Sequence, residues 1–418
     1  MTMMSETYRM LTRRSACQAV AGLAAAVAAG PALAADKVVK VGLDLSFTGA
    51  DATDAIRMAN GGILAFEEAN QRQEVPGITF KIEKYDDGTA TAGQYDPAQA
   101  ATNARRMVAD RAVIAAIGPQ MSGAGKAMSP ILSAGDLATI SPAATNPDIT
   151  DPKFAAQYRP AGRAVFFRTV ATDAYQGPNM ANYLARTLKV ASVYVLDDSG
   201  AYGVGLADAF QLQAGKIGMR VLGRDRLDPK AADYGAVLTR IRSLEPQALY
   251  FGGVAQAGVK LAKQGYEIIP TVIKAGGDGM QSAGLLSGAG FPAVEGWYAT
   301  IAAPHVTDDP KLADFARRYH DRFNMQPDDY AVTCHAAARV IIEAVKDLLA
   351  HQQEVTRAAV REAIQNANIQ DSLIGPIAFD GNGDLRNRII SVFQIRRDTT
   401  KPIDSPEQYR YVGVAPQS

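Results

Sequence analysis

Hydrophobic positions along the chain follow two spacings that alternate from residue 37 onward. Short apolar runs such as residues 38–43 predict buried strands, because a continuous apolar run of about four to eight residues fits a strand covered on both faces. Between these runs, apolar residues recur at helical spacing, as at Ile56, Ala59, Ile63 and Phe66. Repeated strand–helix units predict an α/β fold with two doubly wound parallel sheets and right-handed crossovers.

The same pattern assigns most of the chain to elements. Residues 78–84 alternate apolar and polar side chains, which predicts a half-buried strand at a sheet edge. Asp96 followed by Pro97 predicts the start of a helix that ends near Ala109. Further strands are predicted at residues 112–117, 137–140, 165–170, 191–196, 220–222, 248–252, 271–275 and 389–395. Further helices are predicted at residues 124–134, 176–188, 205–216, 234–244, 311–323, 330–350 and 357–365.

Two loops that follow buried strands are the first candidates for a functional site. Residues 118–126 follow the strand at 112–117, and residues 141–147 follow the strand at 137–140. In open α/β sheets, small ligands bind in the crevice beyond the carboxyl ends of the strands. Both loops are rich in hydroxyl groups and glycine, and Lys126 is their only charged residue. This composition favours holding a small polar molecule over transforming one.

The length and the charge set the broad class of protein. The chain has 418 residues, with 43 basic and 43 acidic side chains and a formal net charge of zero. A neutral balance gives no electrostatic reason to expect nucleic acid or an anionic membrane surface as a partner. The length predicts two or more domains.

The N-terminus has the pattern of an export signal. Arg13 and Arg14 precede an apolar run at residues 19–29, and an Ala-Leu-Ala site ends at Ala34. The run is shorter than the ~20 apolar residues of a membrane-spanning helix, so we expect a signal peptide at residues 1–34, cleaved near Ala34, and a periplasmic protein. The paired arginines leave the twin-arginine and the general secretory routes both open.

The strings that imitate catalytic or cofactor motifs fail on spacing. Residues 122–126 (Ser-Gly-Ala-Gly-Lys) lack the first glycine of a phosphate-binding loop, because Gln120 stands there, and Ala127 replaces its magnesium-binding hydroxyl. Residues 380–384 lack the distal Glu of a calcium loop and fit a hairpin turn. The four histidines have no metal-ligand spacing, and no serine lies in a nucleophile elbow. We therefore predict no enzyme, no cofactor and no metal, and an exported α/β enzyme is only a remote alternative.

Asp278 is the one acidic residue that the pattern singles out. It lies between glycines in the segment 275–279, directly after a predicted strand. Taken alone, an aspartate in this position is more often part of an Asx-type turn than of a binding site.

Several strings, in this order along an exported chain, resemble the periplasmic Leu/Ile/Val-type (branched-chain amino-acid) binding proteins of ABC transporters. The similarity covers nearly the whole mature chain. It is carried by residues 85–87, 140–145, Arg168, Asp173, 176–177, 202–203, 276–279, 379–380 and 383–384.

The resemblance implies a type I periplasmic binding fold, in which two α/β lobes are joined by a three-strand hinge and close on a ligand. The first lobe would consist of residues 36–168 and 302–388. The second lobe would consist of residues 170–300 and 389–418. The three crossings would fall near residues 168–173, 299–303 and 386–392.

The resemblance also assigns the head of an amino-acid ligand to four residues. Ser122 matches the serine whose hydroxyl and backbone N–H hold the α-carboxylate. Thr145 matches a threonine that contacts both the carboxylate and the ammonium group, and Ala143 would offer its carbonyl to the ammonium. Asp278 stands where the family has an acidic residue facing that ammonium. A buried zwitterion needs both charges compensated, which these groups would do.

The resemblance places the side-chain pocket at five positions, of which one matches the family pattern and four depart from it. Tyr202 matches an aromatic wall, and Tyr330 stands where the family has phenylalanine. Val254 and Asp54 each replace a tyrosine, and Met121 replaces a cysteine. We therefore expect a roomier pocket that is more polar at one end.

These residues imply that a monomeric binding protein captures an α-amino acid, branched-chain or related, and delivers it to an ABC permease. An alternative keeps the fold and changes the ligand to an amide, a urea-like compound or an aromatic acid. Asp278 argues against a simple aromatic acid, because such an acid has no ammonium group to pair with it.

Overall fold

The computed structural model of the protein describes residues 37–305 and 309–418. The predicted export signal at residues 1–34 lies outside the described residues. Within the described ranges, no helix combines the length and the apolar character needed to cross a bilayer.

The described chain alternates strands and helices, as the sequence predicts. The strands are β1 (Lys37–Leu45), β2 (Ile78–Asp86), β3 (Gly88–Thr89), β4 (Gln94–Tyr95), β5 (Val113–Ile117), β6 (Thr139–Ser141), β7 (Phe166–Arg168), β8 (Ser192–Asp197), β9 (Arg220–Arg226), β10 (Ala248–Gly252), β11 (Ile273–Gly276), β12 (Tyr298–Ile301), β13 (Asn368–Ile369), β14 (Ile377–Ala378), β15 (Ser391–Ile395) and β16 (Tyr409–Val414). The helices are α1 (Ala52–Gln71), α2 (Pro97–Ala109), α3 (Ser122–Ala134), α4 (Ala155–Tyr158), α5 (Asp173–Arg186), α6 (Ala201–Lys216), α7 (Gly235–Leu244), α8 (Ala255–Ile268), α9 (Ala283–Ala289), α10 (Pro310–Phe323), α11 (Asp329–Ala350) and α12 (Arg357–Gln365).

A five-stranded sheet forms from the N-terminal strands in the order β2-β1-β5-β6-β7. The pairs β1–β5, β5–β6 and β6–β7 are parallel. Strand β2 lies at one edge, where the alternation of residues 78–84 predicts it. Helix α1 connects β1 to β2 and packs along α11, which comes from the C-terminal third of the chain.

A seven-stranded sheet follows in the order β16-β15-β12-β11-β10-β8-β9. Strands β8 to β12 pair in parallel, and β15 and β16 are antiparallel to their neighbours. The seven-stranded sheet is therefore mixed rather than purely parallel. Strands β15 and β16 are joined by a loop without a crossover helix, and adjacent strands joined in this way run antiparallel. The doubly wound α/β fold class is confirmed.

The structure corrects some details of the pattern. Ile56 is 44% exposed, although its spacing places it with the apolar face of α1, while Ala55, Met58 and Ala59 of that helix are fully buried. Helices α8 and α9 and strand β16 are additions to the predicted elements. Asp96 caps α2 as predicted, since its side chain accepts a hydrogen bond from the Ala98 backbone N–H at 2.8 Å.

Candidate functional site

A small cavity lies at the carboxyl ends of strands from both sheets. Its volume is about 40 Å³. Loops after β5 and β6 approach it from the five-stranded sheet, and loops after β10 and β11 approach it from the seven-stranded sheet. The starts of α1, α6 and α11 complete the wall. It is lined by Asp51, Asp54, Gln120, Met121, Ser122, Ala143, Tyr202, Val254, Asp278, Gly279, Gln281, Ser282 and Tyr330.

The residues that the sequence nominates for a ligand come together at this cavity. Those that line it are Ser122, Ala143, Tyr202, Asp278, Met121, Asp54, Val254 and Tyr330. Thr145 is fully buried beside them, and its carbonyl accepts the Asp173 backbone N–H at 2.9 Å, but it is not among the lining residues. Its predicted contact with a ligand stays a prediction.

The first loop reaches the cavity because a glycine lets it pass close to a neighbouring strand. Gly118 has φ +113°, and a Cβ there would lie 2.1 Å from the carbonyl oxygen of Asp44. Any side chain at this position would therefore collide with the backbone. The loop then leads into α3, where Ser122 is the first helical residue and its Oγ accepts the Asn146 backbone N–H at 3.2 Å. This hydrogen bond ties the first loop to the second.

The second loop is organised by Ser141. Its hydroxyl donates to the Pro119 carbonyl at 2.7 Å and accepts from the Ala144 backbone N–H at 2.8 Å. On the far side, Thr333 of α11 donates to the Pro142 carbonyl at 2.8 Å. The loop is therefore held by side-chain hydrogen bonds at several points, which fixes the direction of its backbone groups at the cavity.

Arg168 supports the same loop from beneath. It is fully buried, and its Nη1 donates to the carbonyls of Ala144 and Asn146 at 2.8 and 3.1 Å. Its Nε donates to Asp384 at 2.7 Å, and its Nη2 donates to the Thr150 hydroxyl at 2.6 Å. The planar guanidinium satisfies all of these acceptors in one plane, which a lysine could not do.

Asp278 is the buried carboxylate of the cavity. Its Oδ1 accepts from the Tyr202 hydroxyl at 2.5 Å and from Gln176 Nε2 at 3.0 Å, and its Oδ2 accepts from the Tyr330 hydroxyl at 2.9 Å. Gln176 also receives the Asp278 backbone N–H at 3.0 Å, and the Thr300 hydroxyl donates to it at 2.6 Å. Asp278 is thus a positioned acceptor rather than a turn residue at the surface.

Burial dominates the electrostatics around Asp278. It raises the pKa of the Asp278 carboxyl, and the hydrogen bonds from Tyr202, Gln176 and Tyr330 oppose that rise. The neighbouring Asp173 is also fully buried, and its pKa is raised first by burial and then by the charge of Asp278. A cation beside Asp278 would relieve both effects, because an opposite charge favours the ionised carboxylate.

Asp54 links helix α1 to the start of helix α9. Its Oδ2 accepts from the Ser282 hydroxyl at 2.7 Å and its Oδ1 from the Ala283 backbone N–H at 3.0 Å, at the start of α9. Arg57, one turn further along α1, lies 4.0 Å from the same carboxylate. Asp54 therefore lines the cavity while both of its oxygens are engaged by protein groups.

Two more hydrogen bonds link segments of the two sheets near the cavity. Asn146 Nδ2 donates to the Ala201 carbonyl at 2.8 Å, and Gln256 Nε2 donates to the Ala92 carbonyl at 3.1 Å. Together with Tyr330–Asp278 and Asp54–Ser282, they surround the cavity with bonds between the two halves. The segments that approach the cavity from the two sheets are therefore bonded to each other.

Sequence reasoning missed four polar residues of the wall, namely Asp51, Gln120, Gln281 and Ser282. Asp51 stands at the N-cap position of α1, where its acidic side chain gives only a helix-start signal. Gln120 lies in the loop already nominated, two residues before Ser122. Nothing in the pattern around residues 281–282 distinguishes them from an ordinary loop.

The cavity has a strongly one-sided charge. Asp51, Asp54 and Asp278 line it, whereas the wall, as far as the described residues form it, includes no Lys, Arg or His. Lys126, the one charged residue of the nominated loops, pairs with Asp148 at 2.7 Å. In the described ranges, no group of His, Cys, Asp and Glu is arranged to hold a metal ion. The wall is suited to a ligand that brings positive charge.

The cavity lies between two α/β sheets and is lined by strand-end loops from both. This arrangement is typical of a protein that binds a small molecule. The chain belongs to the periplasmic binding protein family, whose model matches residues 38–400. The confirmed fold is that of the type I periplasmic binding proteins.

Among relatives, the Leu/Ile/Val-binding protein BraC3 of Rhizobium johnstonii is 28% identical over 375 residues, which cover 90% of this chain and 95% of that protein. The leucine-binding protein LivK from Thermotoga maritima superposes with a TM-score of 0.77 at 23% identity, over 90% of this chain and 98% of that one. An R. palustris solute-binding protein crystallised with benzoate gives a TM-score of 0.73 at 19% identity, over 91% and 98% of the two chains. At these identities the structural likeness shows the fold.

Proposed function

We propose that this protein captures an α-amino acid between two closing lobes and delivers it to an ABC permease. The observation that carries the proposal is the buried Asp278 carboxylate in a cavity whose opposite loops supply hydroxyl and backbone groups. The relatives named for Leu/Ile/Val or leucine binding support the same ligand class.

The head of an amino acid matches these groups in charge and in hydrogen bonding. Its ammonium would pair with Asp278 and the Ala143 carbonyl. Its carboxylate would accept from the Ser122 hydroxyl and from backbone N–H groups at the start of α3, where the helix dipole favours an anion. Thr145 would complete the head site from behind. Leaving either charge unpaired in a buried site would cost several kcal/mol.

Titration calorimetry with a panel of α-amino acids tests the proposal. Asp278→Asn should weaken binding of any amino acid that the protein takes by about tenfold to a hundredfold, because it removes a charge-assisted bond of roughly 1.5–3 kcal/mol. Asp173→Asn is the matched control, since Asp173 is equally buried and lies next to Asp278 without lining the cavity. The proposal fails if no α-amino acid binds, or if both variants lose the same affinity.

The proposed mechanism is a hinge motion between lobes that correspond to the two sheets. The lobes would be residues 36–168 with 302–388, and residues 170–300 with 389–418. The bonds Asp54–Ser282 and Tyr330–Asp278 link these two sets, and they fit the closed arrangement. Ligand contacts made to both lobes would shift the population toward closure.

The partner and the compartment follow from the family and from the N-terminal pattern. Periplasmic binding proteins act outside the cytoplasmic membrane, which agrees with the export signal expected at residues 1–34. The protein would work as a monomer that presents its closed form to a permease. Co-purification of the mature chain with a candidate permease, with and without ligand, tests this partner.

A second candidate keeps the mechanism and changes the ligand to an amide, a urea-like compound or an aromatic acid. The likeness to the benzoate-bound R. palustris protein favours considering it. Against an aromatic acid stand the three carboxylates of the wall, which includes no basic side chain to receive another anion. Under this alternative, Asp278→Asn would spare or improve binding, which is opposite to the result expected for an amino acid.

A further inference from the structure

The wall of the cavity carries polar atoms that no protein group satisfies. Asp51 is 3% exposed and its Oδ2 is buried without a hydrogen-bond partner. Gln120 is 8% exposed, and its Oε1 is also buried without a partner. Both residues line the cavity. Buried polar atoms in native proteins almost always have a partner, so each of these two acceptors points to a donor that the ligand would bring.

Asp51 is unusual for an aspartate at a helix start. It holds the N-cap position of α1, yet its side chain makes no capping hydrogen bond. An N-cap aspartate ordinarily accepts from a backbone N–H of the first turn, which stabilises the helix start. Its carboxylate instead lines the cavity, beside a helix N-terminus that favours the ionised form.

The charged groups around Asp51 are also acidic. Burial is the main cause that raises its pKa to about 7, and the charges of Asp54, Asp87 and Asp198 add to the rise. Asp54 is compensated by Arg57 and two hydrogen bonds, and Asp278 would be compensated by the ammonium of an amino acid. Asp51 then remains without a cationic partner, and a cation beside it would favour its ionised form.

We infer that the ligand is a basic α-amino acid, whose cationic end is held by Asp51 and Gln120. This inference rests on the proposed function, because the head groups of the ligand must occupy Ser122 and Asp278 for its side chain to reach Asp51. An ammonium or a guanidinium supplies the donors that both unpaired acceptors need, and it neutralises the remaining carboxylate.

Gln281 is the third unsatisfied polar group of the wall. It lines the cavity, and its Nε2 is buried without a partner. Rotation about the terminal side-chain bond exchanges the oxygen and the nitrogen of a glutamine amide, so Gln281 can also present an acceptor to a cation. A leucine or valine side chain would leave all three polar groups desolvated and unpaired, which weakens binding.

Calorimetry with arginine, lysine, citrulline and leucine tests the inference. Citrulline matches arginine in shape and lacks its charge. Arginine or lysine should bind about tenfold or more tightly than citrulline and leucine, which is the size expected of one charge-assisted hydrogen-bonded pair. Asp51→Asn should remove most of that advantage and change citrulline affinity little.

Two variants keep the test interpretable. The Asp51 side chain makes no capping hydrogen bond and asparagine has nearly the same shape, so Asp51→Asn should fold, and Gln120→Leu offers an independent loss of the second acceptor. Asp96→Asn is the matched control, because Asp96 caps α2 outside the cavity, and it should bind arginine as the parent does.

The outcomes separate the inference from the proposed function. If leucine or citrulline binds as tightly as arginine, or if Asp51→Asn weakens all ligands equally, the inference is overturned and the amino-acid function stands. If no amino acid binds at all, both are overturned.

Discussion

Arg168 is the residue on which the geometry of the second cavity loop depends most. It is fully buried, yet one guanidinium serves two loop carbonyls, the Thr150 hydroxyl and Asp384. The sequence nominates Arg168 through a resemblance and gives no reason for its importance. The reason is tertiary, because its acceptors come from segments more than two hundred residues apart in the chain.

Replacing Arg168 should therefore be costly. Arg168→Ala leaves two loop carbonyls without their donor and Asp384 without its charge partner, and we expect a loss of about 3–5 kcal/mol in the free energy of unfolding. Urea denaturation followed by circular dichroism measures it.

Arg159→Ala is the control for Arg168→Ala. Arg159 is half-buried and donates to Asn382 at 2.9 Å nearby, and its loss should cost about 1 kcal/mol or less. Equal losses for the two variants would contradict the anchoring role of Arg168.

Some candidate residues of the cavity wall can be predicted from the sequence alone, and others cannot. Ser122 and Asp278 follow strands and stand in loops that a sequence can nominate. Asp51 and Gln281 become neighbours of the same cavity only after α1 and the loop following β11 are brought together. Their unpaired state is a property of the folded molecule, and no local sequence signal carries it.

At the scale of elements, helix α9 is linked to α1 through Ser282, whose hydroxyl makes two hydrogen bonds. Ser282 caps α9 through the Leu285 N–H at 3.3 Å and donates its own hydroxyl to Asp54 at 2.7 Å. The Tyr409 hydroxyl accepts the Ser282 backbone N–H at 2.8 Å. A short helix thus depends on one serine both for its start and for its link to another layer.

Removing that hydroxyl should loosen the closed arrangement. Ser282→Ala is expected to cost about 1 kcal/mol through the lost cap, and the lost bond to Asp54 adds to this. Ligand affinity should fall severalfold, and the radius of gyration of the ligand-free protein in X-ray scattering should increase.

Ser287→Ala provides the comparison for Ser282→Ala. Its hydroxyl donates within α9 to the Ala283 carbonyl at 2.8 Å and makes no link to α1. It should change neither affinity nor radius. An equal effect of both variants would place the cause in the helix itself rather than in the link to α1.

The elements that the pattern misses have weak hydrophobic signals. The buried positions of α8 are mostly alanine and glycine, with Leu261 as the one large residue among them. Strand β16 pairs at a sheet edge and alternates buried or half-buried with exposed positions around Gly413. Long amphipathic helices such as α11 are predictable, because large apolar residues repeat along them for several turns.

At the scale of the whole molecule, the buried carboxylates set how stability responds to pH. Burial raises the pKa of Asp51 and of Asp87 from 3.8 to about 7. The folded ligand-free state then binds more protons than the unfolded chain between these values, so the free energy of unfolding should rise as the pH falls from about 7.

Denaturation of the ligand-free protein at a series of pH values tests this sign. Each such group contributes up to ~1.4 kcal/mol per pH unit across its window. Asp51→Asn should flatten the slope, with a stability gain near neutral pH that disappears under acid conditions. A parent protein that loses stability steadily from neutral pH toward acid would contradict the expectation.

The hydrogen bonds that encircle the cavity also bear on how long a solute remains inside. Those made by Asp54, Asn146 and Gln256 join protein to protein, so they are the same whichever solute is enclosed. In a chain that opens to release its cargo, breaking them is a step common to every departure. They set the part of the opening barrier that does not depend on the cargo, and the contacts that each cargo makes to both sheets add the part that does.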